Sequence, residues 1–212
     1  MINSKCKICR RSGQKLFLKG EKCFSPKCPI IKRPYPPGIR RKKRPSPLSE
    51  YGRELREKQR LKLWYNLRET QLRNYVKEAL KKRGRGETAD LLIKKLESRL
   101  DNLIFRLGFA NSRPQAKQLV GHGHFLVNGK KVKVPSYQIK KGDKITISSP
   151  KKEKKIFQNL PSFLKKYQPP SWLKINKENL EKELEGEVVG EPTSKEANPP
   201  VEISSVFEFY SR

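Results

Sequence analysis

Apolar residues recur at intervals of three and four along the middle of the chain, the spacing at which side chains share one face of an α-helix. Helical patterning begins near Ser49, a candidate N-cap because its hydroxyl group can accept a hydrogen bond from the first turn. An apolar stripe follows, formed by Leu72, Tyr75, Val76, Ala79 and Leu80. The spacing predicts a helix that packs this stripe against a core and ends at Gly84 and Gly86.

A second stripe, made of leucines, predicts another helix that runs from a cap at Thr88 to Gly108. Its apolar positions, which we assign to the core, are Leu92, Leu96, Leu100, Leu103 and Leu107. Basic residues stand between them, among them Arg99 and Arg106, and we expect their side chains on the other faces. Their number favours a side that faces RNA or DNA over one that is merely solvated.

The pattern changes to a period of two near residue 124, which is typical of a half-buried strand. Phe125 and Val127 share one face, and Asn128-Gly129 directly after them is a strong two-residue signal for a β-hairpin. The return strand continues through Val132 and Val134, and a second turn at Lys141-Gly142-Asp143 leads into a strand with Ile145 and Ile147. With a short helix over residues 113–120, this predicts helices packed on a small antiparallel sheet, an α+β fold.

The C-terminal part, residues 151–212, is predicted to return to the helical domain. Residues 178–200 are rich in Glu, with Gly and Pro, and we expect them to form a flexible acidic excursion. The last apolar residues, Val206 to Tyr210, are expected to fold back as a strand.

The charge is strongly positive and unevenly distributed. The chain carries 50 Lys plus Arg against 21 Asp plus Glu, a formal net charge of +29; residues 176–212 alone have a net charge of −5. Such self-repulsion calls for a polyanionic partner. No apolar run approaches the length of a membrane span, and the basic residues do not form one amphipathic surface helix, so nucleic acid is favoured over an anionic membrane.

All four cysteines lie in the first 28 residues, as Cys6-x-x-Cys9 and Cys23-x-x-x-x-Cys28. Two short pairs of this kind can supply four thiolates to a tetrahedral structural zinc ion. Two disulfides, an iron–sulfur cluster and four unrelated structural cysteines remain the alternatives. A catalytic zinc is disfavoured because such sites usually include His or a carboxylate. A metal there would direct Lys5, Lys7, Arg10 and Arg11 towards a nucleic acid.

Residues 29–49 form an arm that is rich in proline and carries the basic run Arg40, Arg41, Lys42, Lys43 and Arg44. Proline removes backbone donors and favours extended conformations, so a packed element is not expected. A solvated linker is one interpretation. An arm that lies along phosphates and orders on binding is the favoured one.

The stretch from Ser112 to Lys130 gives the most specific indication of the kind of partner that the chain binds. Ser112 marks a helix N-terminus, where unpaired N–H groups attract phosphate, and Arg113, Gln115, Lys117 and Gln118 are expected on exposed faces of that helix. The hairpin places Asn128 and Lys130 beside it. Of His122 and His124, we expect one to pack and the other to contact RNA or solvent. Donors on a rigid corner suit the shape and phosphates of structured RNA.

This stretch resembles the small RNA-binding module named after protein four of the small ribosomal subunit. The resemblance extends to Lys15–Cys23, Arg33–Gly38, Leu55–Gln59, Leu96–Asn102, Arg106–Phe109, Pro135–Tyr137 and Phe209–Arg212, in the right order. The chain is therefore identified as a member of the bacterial family of small-subunit ribosomal protein four.

The resemblance implies a helical domain interrupted by an inserted module of helices and a five-stranded antiparallel sheet. It implies a cytoplasmic, non-enzymatic protein that binds small-subunit ribosomal RNA in its 5′ domain and nucleates assembly of the subunit body. Proteins three and five would be its neighbours, close to where messenger RNA enters, with an effect on decoding accuracy. Cys6, Cys9, Cys23 and Cys28 match the metal ligands of the zinc-bearing members. Neither a membrane nor a small-molecule substrate is implied.

Two other classes of protein fit the sequence less well. An RNA-modifying or tRNA-charging enzyme would need a further catalytic domain, and the chain has no Gly-rich phosphate loop and no paired-carboxylate site. A zinc-dependent DNA-binding regulator would need a base-reading helix and usually a dimer element after its cysteines. Neither feature is evident.

The predicted organisation is a zinc knuckle at 1–28, the arm at 29–49, a helical domain at 50–97, the RNA-binding module at 98–150 and the C-terminal segment at 151–212. The predicted RNA-binding residues are Arg40, Arg41, Lys42, Lys43, Arg44, Arg53, Arg56, Lys58, Arg99, Arg106, Ser112, Arg113, Gln115, Lys117, Gln118, His122, His124, Asn128 and Lys130.

Overall fold

The computed structural model describes residues 4–38, 47–81, 88–148, 154–176 and 184–212. Backbone contacts divide the chain into two units. Unit 1 comprises Met1–Ala89 and Pro199–Arg212, and unit 2 comprises Asp90–Asn198. Of the predicted C-terminal segment 151–212, therefore, only the last fourteen residues belong with the N-terminal helices.

Unit 1 is helical where it is described. Its helices are α1 (Ser4–Ser12), α2 (Glu21–Phe24), α3 (Pro29–Lys32), α4 (Glu50–Trp64) and α5 (Glu69–Lys81), with the last helix of the chain, α12 (Ile203–Ser211). The predicted N-cap of α4 is confirmed, because the Ser49 hydroxyl oxygen accepts a hydrogen bond from the Gly52 N–H. The predicted apolar stripe is also confirmed: Leu72, Val76 and Ala79 of α5 are fully buried.

The chain does not end in a strand, as the sequence had suggested. Residues Ile203–Ser211 form helix α12, which packs on α4 with Val206 fully buried. Ile203, Val206, Phe207 and Tyr210 are spaced by three and four residues, which places them on one helical face. This helical period prevails over the aromatic character that suggested a strand.

Unit 2 begins within α6 (Thr88–Glu97) and continues with α7 (Leu100–Arg106) and α8 (Arg113–Gly121). The five leucines of the second stripe are all buried, as predicted. They do not form one helix, however. The helix breaks at Ser98 and Arg99, where Arg99 pairs as an isolated bridge with Gln138.

A five-stranded antiparallel sheet follows in the order β2-β1-β3-β5-β4. Its strands are β1 (Phe125–Val127), β2 (Lys130–Lys131), β3 (Lys144–Ile147), β4 (Leu173–Ile175) and β5 (Glu185–Val188). The predicted hairpin is confirmed, with φ of 48° at Asn128 and 78° at Gly129, as a type I′ turn requires. The return strand is shorter than predicted: it ends at Lys131, and Val134 is 54% exposed.

The expectation that 178–200 is a flexible excursion is wrong for its described part. Glu185–Val188 is β5, between β3 and β4, and Ser194–Ala197 is helix α11. Residues 177–183 lie outside the described residues. Helices α9 (Lys155–Gln158) and α10 (Leu160–Lys166) precede this part, and Phe157, Leu160 and Leu164 join the core of unit 2.

The core of unit 2 combines one face of the sheet with α7 and α8, so the α+β class is confirmed. Across the described ranges, no helix is long and apolar enough to span a bilayer.

Candidate nucleic-acid interface and cysteine cluster

Five exposed lysines of unit 2 lie along β2 and the loop that joins it to β3. We call this set the lysine edge; it comprises Lys130, Lys131, Lys133, Lys140 and Lys141. The carboxylate in the same region is engaged in the turn, because Asp143 accepts hydrogen bonds from the Lys140 N–H at 2.7 Å and from Asn128 Nδ2 at 2.8 Å. The lysine charges therefore face solvent with little local compensation.

Asn128 serves the hairpin itself. Its side-chain oxygen accepts the Lys144 N–H at 2.9 Å, while its amide group donates to Asp143. Both the oxygen and the amide nitrogen of this predicted RNA-binding side chain are thus used in hydrogen bonds that hold the hairpin turn against the start of β3.

Gly123 allows the side chains of the lysine edge to lie over the turn between α8 and β1. Its φ is +64°, and a Cβ atom there would come within 2.5 Å of Lys131 Cε and 3.3 Å of Lys133 Cγ. The stems of Lys131 and Lys133 therefore run close to His122, which is exposed at this turn. These two lysines were not among the residues predicted from the sequence. Their spacing of two residues, directly after the hairpin turn, could have indicated that both side chains lie on the same side of the return strand.

The outward face of α8 differs in part from the prediction. Gln118 is exposed and Lys117 is half-buried. Ser112 is buried and makes no side-chain cap, and instead Gln115 Oε1 accepts the N–H of Asn111 at 3.0 Å. Ser112 therefore does not form the exposed phosphate-attracting end that was expected.

Arg113 was expected on an exposed face, and this expectation is wrong. It is 5% exposed, its Nε donates to Asn102 Oδ1 at 2.7 Å, and its guanidinium lies 4.6 Å from the centre of the Phe105 ring. The side chain spans from α8 to α7 and fixes one helix against the other.

Arg99 is also wrongly predicted as outward-facing, and Arg106, whose side chain is 18% exposed, turns its guanidinium group to a buried partner. Arg99 is 1% exposed and binds the Asp101 carboxylate with two hydrogen bonds, of 3.0 and 2.7 Å. Arg106 donates two hydrogen bonds to the fully buried Glu97, at 3.0 and 2.9 Å, and one to the Ala197 carbonyl oxygen. Buried ions require such partners.

Asn102 links these pairs into one network. Its Nδ2 donates to Glu97 Oε2 at 2.6 Å, and its Oδ1 accepts from Arg113. The stretch Glu97–Asn102, which carried part of the family resemblance, therefore serves as an internal polar frame of the module.

Of the two histidines, one packs, as predicted. His124 is 3% exposed and its ring lies edge-on to Phe157, with centroids 5.6 Å apart. A direct RNA contact by His124 is incompatible with this burial. His122 is the exposed one.

In unit 1, Arg53 and Arg56 are exposed on α4, as an RNA-binding role requires. Lys58 is 5% exposed: its ammonium group donates to Glu69 at 2.7 Å and lies 4.5 Å from the centre of the Phe209 ring. Lys58 therefore has a packing role. The basic run Arg40–Arg44 lies outside the described residues.

The four cysteines line one small cavity together with Leu18 and Pro29. The N–H of Lys19 donates to Cys23 Sγ at 3.4 Å. Burial raises the pKa of the Cys9 thiol; a backbone hydrogen bond at Leu16 opposes this shift, and the neighbouring thiols Cys23, Cys6 and Cys28 add to it. Nevertheless, no three His, Cys, Asp or Glu side chains in the described ranges stand as a ready set of metal ligands. The fold therefore brings the four thiols to one cavity, but their side chains are not arranged as a set of metal ligands.

Arg10, next to this cavity, anchors the start of the proline-rich arm. Its Nε donates to the carbonyl oxygens of Arg33 at 3.0 Å and Tyr35 at 2.9 Å, and its guanidinium lies 4.8 Å from the centre of the Tyr35 ring. The expectation that Arg10 is directed at a nucleic acid is therefore replaced by a role in positioning the arm.

Comparisons with known proteins agree with this division of the chain. Residues 1–97 match the family "Ribosomal protein S4/S9 N-terminal domain", and residues 98–145 match "S4 domain". The chain is 45% identical to small ribosomal subunit protein uS4 of Halothermothrix orenii, over 98% of this chain and 96% of that protein. It is 46% identical to the protein of the same name from Dictyoglomus turgidum, with the same coverage. The Thermus thermophilus protein is 43% identical over 100% of this chain and 98% of its own length.

Proposed function

Because this chain belongs to the uS4 family of small-subunit ribosomal proteins, we propose that it binds small-subunit ribosomal RNA through the lysine edge of unit 2 and the exposed arginines of α4. The protein is a structural constituent of the small ribosomal subunit in the cytoplasm and is not an enzyme. Its role in the subunit is that of a primary RNA-binding assembly protein.

The single observation that carries the assignment of the surface is the lysine edge itself. Five exposed lysines project from a short hairpin and its loop, and the buried network of Glu97, Asn102, Arg106 and Arg113 holds the helices behind them. Lysine ammonium groups contact phosphates, and such contacts do not distinguish one base sequence from another. A rigid array of this kind recognises the backbone geometry of folded RNA.

Residues Arg53, Arg56, Lys117, Gln118, His122 and Lys130 remain in the proposed interface because they are exposed or half-exposed. We assign the buried residues Arg99, Ser112, Arg113, His124 and Lys58 to the protein interior instead. Arg106 is partly exposed, and we leave it out of the interface because its guanidinium group is engaged by the buried Glu97. Lys131 and Lys133 join the interface. The basic run at 40–44 is proposed as an arm along phosphates, on the strength of its sequence alone.

Neighbours are proposed from the family resemblance. These are small-subunit proteins three and five, and messenger RNA where it enters the subunit, with an effect on decoding accuracy. The acidic C-terminal stretch, with a net charge of −5 over residues 176–212, has the charge that would suit a basic ribosomal protein.

The RNA surface is tested by measuring affinity for a small-subunit RNA junction as a function of salt. The Lys131→Ala/Lys133→Ala variant should bind more weakly and reduce the slope of log affinity against log salt by about 2, roughly one unit for each phosphate that is no longer neutralised. The matched control is Lys144→Ala, whose ammonium group pairs with Glu185 at 3.2 Å and whose slope should stay close to that of the unmodified protein.

An unchanged slope in the double variant would place the binding surface elsewhere. Tighter binding of the unmodified protein to duplex DNA than to the RNA junction would contradict the proposed partner.

We also propose that Cys6, Cys9, Cys23 and Cys28 hold one structural zinc ion. The support is their shared cavity, the mutual influence of their thiols and the Lys19 N–H donated to Cys23. When bound, zinc would fix the fold around the cysteines, at Zn–S distances of about 2.3 Å. Because this region buries few apolar side chains besides Leu16 and Leu18, a metal would contribute directly to its local stability.

Elemental analysis of the purified protein should give one zinc per chain. Chelation should increase hydrogen exchange at residues 4–38 and leave exchange in α7 and α8 unchanged. The Cys6→Ser/Cys9→Ser variant should lack the metal and show the same local exchange without chelator. Iron with inorganic sulfide would instead identify a cluster, and four freely alkylated thiols without metal would contradict the proposal.

A further inference from the structure

We propose that Tyr137 is a stacking platform for one unpaired base of the bound RNA. This inference rests on the proposed function, because it adds a base contact to an interface otherwise made of phosphate contacts. The chemistry is that of a nucleobase laid on an aromatic ring, which every base can supply and which carries little sequence preference.

The Tyr137 ring faces solvent at a place where it has no structural use. The residue is 45% exposed, and among the described residues neither its ring nor its hydroxyl group has a partner. Tyr51 is also exposed, but unlike Tyr137 its ring packs on Phe209, with the ring centroids 5.6 Å apart. Half-buried Tyr35 differs too, because its ring faces the Arg10 guanidinium. Tyr137 is the aromatic residue of the lysine-edge loop and projects from it.

The backbone beneath the ring is held firmly by the rest of the module. The Tyr137 carbonyl oxygen accepts the Leu100 N–H at 2.9 Å, and the Pro135 carbonyl oxygen accepts the Asp101 N–H at 3.2 Å. The Ile139 N–H donates to the Ser98 carbonyl oxygen at 2.9 Å. These bonds tie the loop to the break between α6 and α7.

A buried ion pair lies at the break where the loop is held. Arg99 bridges to Gln138 through the backbone, and its side chain closes on Asp101 inside the protein. Tyr137 is thus attached to the polar frame of unit 2. A tyrosine has only two side-chain torsions, so presenting it on a fixed backbone leaves little conformational entropy to lose on binding.

The charges carried by the same loop as Tyr137 suit a nucleotide better than an apolar protein surface. Lys133 precedes Tyr137 by four residues, and Lys140 and Lys141 follow within four, all exposed. A positively charged groove that follows the phosphates, with an aromatic ring for the base between them, is the usual arrangement at single-stranded nucleic acid. A patch meant for another protein would be expected to lack lysine, which is depleted at the core of protein interfaces.

The first test compares three variants of the full chain on the same RNA junction. Tyr137→Ala should lower affinity by roughly 5- to 100-fold, the range for loss of one stacked base. Tyr137→Phe should bind like the unmodified protein because the ring remains. Tyr137→Leu should behave like the alanine variant, since it keeps apolar area but no π-face. Thermal unfolding of each variant checks that the fold is intact.

The salt slope separates this inference from the proposed function. Loss of a stacked base removes no phosphate contact, so Tyr137→Ala should keep the slope that Lys131→Ala/Lys133→Ala reduces. Binding of the Tyr137→Ala variant at the affinity of the unmodified protein, with the lysine variant still impaired, would overturn the stacking proposal alone. Equal losses in the phenylalanine and alanine variants would point to the hydroxyl group and overturn it as well.

A second test locates the base directly. RNA substituted with 4-thiouridine is cross-linked to the protein and digested with trypsin, which releases residues 134–140 as one peptide between Lys133 and Lys140. The cross-linked nucleotide should lie on that peptide, and Tyr137→Ala should reduce its yield. If the variant binds RNA normally but fails to enter reconstituted subunits, the ring faces a protein and the proposal is wrong.

Discussion

At the scale of single residues, burial decides which of the many cations are available to RNA. Arg99 and Arg113 are 1% and 5% exposed and donate to Asp101 and Asn102. Lys131 and Lys133 are exposed on a two-residue strand and the loop after it, and neither has a carboxylate partner within the described ranges. The guanidinium group offers five donors in a fixed fork, which suits buried pairing. The lysine ammonium group is strongly hydrated and suits a surface that meets phosphate in water.

Within the buried polar network of unit 2, we expect the loss of the Glu97 carboxylate to destabilise the fold most. Glu97→Gln leaves Arg106 without its charged partner, and we expect a loss of about 3 kcal/mol in the free energy of unfolding, as for one member of a buried pair. Chemical denaturation measures it. The control is Glu191→Gln, whose ion pair with Lys94 is exposed and should be worth less than about 1 kcal/mol. A loss at position 97 no larger than at 191 would contradict the assigned frame.

Glu69 gives a second prediction at this scale, in its pH dependence. Burial by itself would raise the pKa of Glu69, but hydrogen bonds from Lys58, Lys62 and Tyr210 lower it from 4.5 to about 2. A lowered folded-state pKa means that the ionised carboxylate stabilises the fold above pH 4.5 and that this contribution disappears as the pH falls towards 2. The difference in free energy of unfolding between the unmodified protein and Glu69→Gln should therefore be constant at neutral pH and shrink between pH 4.5 and 2.

The matched control is Glu208→Gln, an exposed position on α12. Its difference from the unmodified protein should show no comparable change over that range. A Glu69→Gln difference that persists undiminished at pH 2 would contradict the hydrogen bonds assigned to this carboxylate.

At the scale of elements, strand β5 shows how one glycine admits a strand into a sheet. Gly186 pairs with both Ile145 and Ile175, and it faces the side chain of Leu107 on the helical side. A larger residue at this position would hold the strand away from the leucine. The close approach places an otherwise Glu-rich stretch between β3 and β4 in the sheet, where Leu184 and Val188 join the core.

Gly186→Ala should therefore destabilise unit 2. Its Cβ atom would lie 2.7 Å from Leu107 Cδ1, and overpacking of this kind costs about 1–3 kcal/mol. Gly121→Ala is the control, because no atom outside its helix lies within 4 Å of the added methyl group and alanine favours a helix by about 1 kcal/mol over glycine. Thermal unfolding of both variants measures the effect. Equal stability of the two would show that β5 is not held against Leu107.

At the scale of the whole molecule, the chain leaves unit 1 at residue 89 and returns to it at residue 199. The returning helix α12 completes unit 1: Val206 is fully buried, the Tyr210 hydroxyl group donates to Glu69 at 2.8 Å, and Arg212 donates to Glu54 at 2.7 Å. Glu54 is itself 4% exposed, and Arg212 supplies the hydrogen bond to its Oε1. The N-terminal helices therefore acquire their full packing from the last residues of the chain.

Deletion of residues 203–212 should raise hydrogen exchange in α4 and α5, because it uncovers their packed faces and leaves Glu54 and Glu69 with fewer partners. Exchange in β1 and β3 serves as the internal reference and should not change. Arg212→Ala should give a smaller effect in the same direction, confined to α4. Unchanged exchange in α4 after the deletion would contradict the assigned role of α12.

Much of the fold follows from local pattern. The stripe of α5, the cap at Ser49 and the Asn128-Gly129 hairpin are set by interactions within a few residues, and they were predicted correctly for that reason. The break at Ser98–Arg99 was missed because the leucine period continues through it and the bridge partner, Gln138, lies far along the chain. Strand β5 was missed because its composition indicates disorder, and its place depends on β3 and β4 on either side.

The sequence by itself determined the class of partner, since a charge of +29 requires a polyanion, and it determined the family, through motifs that lie in order along the chain. Which cations meet that partner was decided only by the tertiary structure. An arginine and a lysine look alike in a helical or strand pattern until distant residues bury one and expose the other. Arg99, Arg106 and Arg113 became the frame because Glu97, Asp101 and Asn102 converge on them, and Lys131, Lys133 and Tyr137 were left facing outward.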